Sequence, residues 1–229
     1  MGTAVRNMIL FLVRPFIRFV GYLALKMMKR GWRPDDDQPP RAAASHIAET
    51  MAIEPGFSVF HNRTFRDVVK FDALSTTERD RMFNELVTAG MCLTLLCLDF
   101  ADALVPPEAY HFWRGVRKLA PEEFESHLVG HGIAPSHAAG FRKLIGMRYE
   151  EYEELTREVE KVWDVEEPQF QSLPTVAAKR SVARVHAIAI GATDHIRRGK
   201  MKPRDPLVDF LRSWLLELNE DIGRFIRDL

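Results

Sequence analysis

The chain has 229 residues, 46% hydrophobic and 28% charged, which excludes a disordered or low-complexity chain and allows a buried core. Its 32 basic and 32 acidic residues cancel, but unevenly. Residues 1–34 carry Arg6, Arg14, Arg18, Lys26, Lys29, Arg30 and Arg33 and no acid; taking those seven away leaves 25 bases against 32 acids, a body of net charge −7.

The first element is "MILFLVRPFIRFVGYLALKMMKRG", residues 8–31. A transmembrane helix needs about 20 predominantly apolar residues, and Arg14, Arg18 and Lys26 interrupt this run. Arg14 would cost at least about 2.5 kcal/mol inside a bilayer. At 100° per residue the cations fall in one stripe, and Phe16, Phe19 and the other apolar side chains cover the rest, with a kink or break expected at Pro15. That pattern suits a helix lying in a membrane interface, with Arg14, Arg18, Lys26, Lys29 and Arg30 on anionic head groups and Phe16 and Phe19 in the acyl boundary. A secretory signal fits poorly because Arg14 breaks its apolar core, and a mitochondrial presequence fits in charge but not in its Ser-poor composition. "MGTAVR" does not complete a myristoylation motif. Docking of the segment into protein, and a true span, are the alternatives.

"RPDDDQPPRAAAS" (33–45) reads as a linker in which prolines stop helices, so the expected division is an anchor at 1–32, the linker at 33–45 and a helical domain at 46–229. A short helix is expected at 45–53. "STTE" at Ser75–Glu78 is a capping box opening a helix to Leu104, apolar on all sides over 86–98 and therefore central. Further helices are predicted over 107–119, from Pro121 to 130, from an N-cap at Ser136 to Trp163, from Thr175 to 199, and from Pro206 to the C-terminus. The best strand candidate is "FSVFHN". The fold class is all-α, an antiparallel helical bundle around an apolar central helix.

Chemistry-bearing residues are few. His127 and His131 stand at i and i+4 in "HLVGH" and form half a metal site without the HExxH glutamate. No ExxH occurs, which excludes the di-iron bundle pattern. Cys92 and Cys97, five apart on one helix, neither bridge nor make a zinc set. His186 lies in the small-residue helix "SVARVHAIAIGA", and Asp99 and Asp102 end the apolar helix; a His–carboxylate pair there would serve a ligand, acid–base chemistry or a core hydrogen bond. Arg197, Arg198, Lys200 and Lys202 form a basic turn, opposed by nine acids against three bases in 148–167.

With no nucleotide loop, nucleophile elbow or metal set, no cofactor and no nucleic-acid partner are expected. The expectation is a membrane-associated accessory or scaffold protein acting through protein contacts or as a homo-oligomer. It would sit on the cytoplasmic face, or on the inner-membrane side of mitochondria in a eukaryote. The rival is an enzyme or binding protein for an apolar, membrane-derived ligand, with a pocket near Asp99, Asp102 and His186.

Overall fold

A computed structural model describes residues 38–229, and among these every regular element is helical. The expected anchor residues Arg14, Phe16, Arg18, Phe19, Lys26, Lys29 and Arg30 lie outside the described residues.

The described chain begins with α1 (Gln38–Ile47), a widened π-helical turn (Ala48–Ile53) and α2 (Glu54–Phe60), one continuous helical path. Residues 38–45 are therefore helix, not linker. Pro39 and Pro40 occupy the first turn, where a missing N–H breaks no helical bond, and Ala43 and Ala44 are fully buried. The π turn ends one residue before Pro55. The Glu54 N–H bonds the carbonyl of Glu49, five residues back, and the wider turn absorbs the bond that Pro55 cannot donate. "FSVFHN" is thus mostly the end of α2, not a strand. Gly90 lets this path approach the central helix: a Cβ there would lie 3.3 Å from the Ala52 Cα.

A short α3 (Arg63–Val69) is capped by Asn62, whose side chain accepts a bond from the Phe65 N–H. Next comes α4 (Thr76–Leu98), opened by the complete Ser75–Glu78 capping box. Every residue from 85 to 98 is buried, under α2, the π turn, α6, α7 and α8. By length and composition α4 resembles a membrane span, but 83% of its most apolar window is covered by this protein's own helices. It ends at Leu98, short of Leu104, and a 3-10 turn (Ala101–Ala103) follows. Cys92 and Cys97 are free and buried on α4, and burial pushes both thiols up from their ordinary pKa.

The helices expected on either side of Pro121 are one, α5 (Tyr110–Gly130). An interior proline costs about 3 kcal/mol, whereas each well-buried side chain near it, Leu119 and Phe124 among them, returns about 1.5–3 kcal/mol. Continuity wins. The long α6 (Pro135–Glu166) starts after Ala134, not Ser136; a one-turn helix (Pro168–Gln171) follows it. Thr175 caps α7 (Val176–Arg197), which closes with Arg198 and Gly199 both at positive φ, and Asp205 caps α8 (Pro206–Asp228).

Two ends of the molecule matter for function. At the C-terminal end of α4, Arg117 and Arg114 of α5 pair with Asp99 and Asp102, and Gly115 between them lies against Pro40. The start of α1 is therefore at this end. At the N-terminal end of α4, Arg81 donates to the carbonyls of His195 and Ile196, and Arg198 lies 3.6 Å from Glu78. The basic turn is at this other end.

Candidate functional site

The three residues expected to share a pocket do not meet. The Asp99 carboxylate accepts bonds from the Arg117 guanidinium at 2.7 Å and from the Tyr149 hydroxyl, and Asp102 accepts from Arg114 at 2.6 Å. Burial, reinforced by the bond to Asp99, pushes the Tyr149 phenol up to about 12. His186 instead lies against Trp163, with ring centroids 4.5 Å apart, and its Nδ1 has no hydrogen-bond partner. Burial lowers its pKa, with nearby Arg212 acting in the same direction. A carboxylate partner would have raised it. The turn after α4 aims both aspartates at α5, a direction that residue spacing along one helix does not encode.

A second cluster was only half visible. His127 and His131 do share a helix face, and both reach Glu49 of the π turn, at 3.2 and 3.7 Å. The other ring nitrogen of His127, Nε2, is 2.8 Å from the Ser45 hydroxyl. Ser45, His127 and Glu49 thus stand in the order of nucleophile, base and orienting carboxylate. Acyl transfer also needs unpaired N–H donors beside the nucleophile. Ser45 lies inside α1, where backbone amides are committed to helical bonds, so the cluster ties α1 to α5 without an oxyanion site. Among the described residues no group of three or more His, Cys, Asp or Glu is arranged to hold a metal ion. The i, i+4 spacing of the two histidines was the legible part. Ser45 and Glu49, also four apart, carried no signal until α1 met α5.

The basic turn is less basic than its sequence. Arg197 is tied to Asp205 through two bonds of 2.9 and 3.0 Å and to the carbonyl of Val68, so it braces the α7–α8 corner and is not a surface charge. Arg198, Lys200 and Lys202 are exposed. Upstream, Lys179 and Arg180 are paired with Asp164 and Glu160 of α6, so much of the acidic 148–167 stretch faces the basic start of α7.

Sequence reasoning missed the most strongly cationic recess. At the C-terminal end of α4, Arg184 of α7 is only 8% exposed, yet it makes no ion pair among the described residues. One guanidinium nitrogen donates to the carbonyl of Leu96, which α4 leaves unpaired in its last turn, and two others donate to the Asn219 side-chain oxygen at 3.2 and 2.9 Å. Asn219 in turn donates to Ser181. Beside it opens a cleft of about 440 Å³, lined by Phe100, Leu104, Thr175, Arg184, Arg224 and Arg227 among others. In "SVARVHAIAIGA" this arginine interrupts an apolar face, which was the available signal. Comparison of the chain with protein-family models, curated proteins and solved structures finds no match.

Proposed function

We propose that this is a membrane-associated helical interaction protein, an antiparallel bundle held at an anionic membrane surface by its first 32 residues and acting through protein contacts. The observation that carries the reading is the enclosure of α4. The most apolar helix of the described chain is buried on every side by its own protein, while Asp99, Asp102 and His186 gather no pocket around it. Lipid contact then falls to the acid-free 8–31 segment, whose Phe-rich face and cationic stripe match an interface. The location that follows is the cytoplasmic face of a membrane, or the inner-membrane side of mitochondria in a eukaryote.

Liposome flotation tests this. Full-length protein should float with vesicles containing anionic lipid, and a chain lacking residues 1–34 should stay in the dense fraction with an undiminished helical circular-dichroism signal. Flotation of the truncated chain would place the attachment elsewhere.

A further inference from the structure

We propose that the cleft between α7, α8 and the 99–104 turn binds a phosphate group, with Arg184, Arg224 and Arg227 as its cationic wall. The recess is built, not merely basic. Arg184 is held at its floor by Leu96 and Asn219, which engage three of its N–H donors and leave two. Both anchors are neutral. The C-terminal end of α4 offsets part of the buried charge through its dipole, but only about half an elementary charge. Arg227 makes no ion pair among the described residues, and its Nη1 lies over Gly223, 3.3 Å from where a Cβ would stand. Arg224 is 3.3 Å from Asp221, a largely exposed pair that costs little to open. Glu220 is the carboxylate lining the cleft, one acid against three guanidinium groups.

Shape and placement narrow the ligand. Thr175 caps the Ala178 N–H at the start of α7, and Ala177 lines the cleft beside it, so the positive end of this helix faces the same space. Guanidinium forks match phosphate oxygens in geometry as well as charge. Phe100, Ala103 and Leu104 add an apolar wall, suited to the carbon chain of a phosphate ester.

The cleft opens at the end of α4 where α1 begins, so it faces the membrane if the opening segment lies there; this orientation rests on the proposed function, whereas the site itself does not. The basic turn is on the far side, about 27 Å away along α4 between Leu96 and Glu78 at about 1.5 Å per residue. The phosphate can belong to a lipid head group or be free in solution.

The test uses the full chain and two charge-matched variants, Arg224→Gln/Arg227→Gln in the cleft and Arg198→Gln/Lys200→Gln at the opposite end. Arg184 is left in place because its loss would unpair Leu96 and Asn219. Inorganic phosphate, against chloride at equal ionic strength, should raise the melting midpoint of wild type and of the far-end variant but not of the cleft variant. Partition onto phosphatidic-acid vesicles should fall roughly 10- to 30-fold for the cleft variant, less than about threefold for the far-end variant, and remain unchanged on phosphatidylcholine. A phosphate shift specific to the cleft without the vesicle loss supports the site and assigns it to free phosphate. If no form of the protein floats while the phosphate shift persists, the membrane reading fails and the cleft stands. No phosphate shift, with equal vesicle loss in both variants, reduces the effect to net charge and overturns the proposal.

Discussion

Glu85 and Arg148 join α4 to α6 through two charge-assisted hydrogen bonds of 2.8 and 3.2 Å, with only 6% and 14% of the side chains exposed. Each bond contributes about 1.5–3 kcal/mol, but desolvating each ion costs several kcal/mol, so the pair as a whole is near balance. Removing one partner is different. Arg148→Met strands a carboxylate in the interior and should destabilise the fold by about 4 kcal/mol. Glu85→Leu should cost less, about 3 kcal/mol, because Arg148 retains Glu151 at 3.2 Å. Additive behaviour would put the double variant near 7 kcal/mol below wild type. We expect it within about 2 kcal/mol, since both charges are then gone and the space is refilled by apolar groups. Urea unfolding followed by circular dichroism at pH 7 measures all three. A double variant as unstable as the sum, or either single change costing under about 1 kcal/mol, would refute the reasoning.

Two more outcomes follow from the clusters. Burial lowers the His186 pKa below its ordinary value near 6.5, so below that pH the unfolded chain binds the proton more readily and stability falls as pH drops through the folded pKa. His186→Phe keeps a ring against Trp163 and should flatten this slope in thermal melts between pH 7.5 and 5; an unchanged slope would assign it to other groups. A fluorophosphonate probe should leave Ser45 unlabelled, while His127→Ala costs about 1–2 kcal/mol by freeing Ser45 and Glu49. Labelling of Ser45 that disappears in the His127 variant would make the cluster catalytic.

Local signals in the chain were reliable where their physics is local. The Ser75–Glu78 box, the Thr175 cap and the turn after Arg197 depend on a few neighbouring residues, and each falls where the residues indicate. Proline was over-weighted. Pro39, Pro40 and Pro121 were expected to bound helices, yet first-turn position excuses the first two and core burial outweighs the third. Opposite charges read as two solvated surfaces, 148–167 and 179–204, turned out in part to be one interface, because antiparallel α6 and α7 bring Asp164 to Lys179 and Glu151 to His195.

The sequence by itself determined the all-helical class, the burial of 86–98 and the separation of a cationic opening from an acidic body, since composition and 3.6-residue periodicity suffice for each. Only the tertiary structure decided which side chains meet. It turned Asp99 and Asp102 toward α5, set His186 on Trp163, brought Ser45 and Glu49 to His127, and placed Arg184 over the end of α4. The reason is geometric: a helix fixes which face a residue lies on, but the partner of that face depends on the crossing of chain segments more than 80 residues apart.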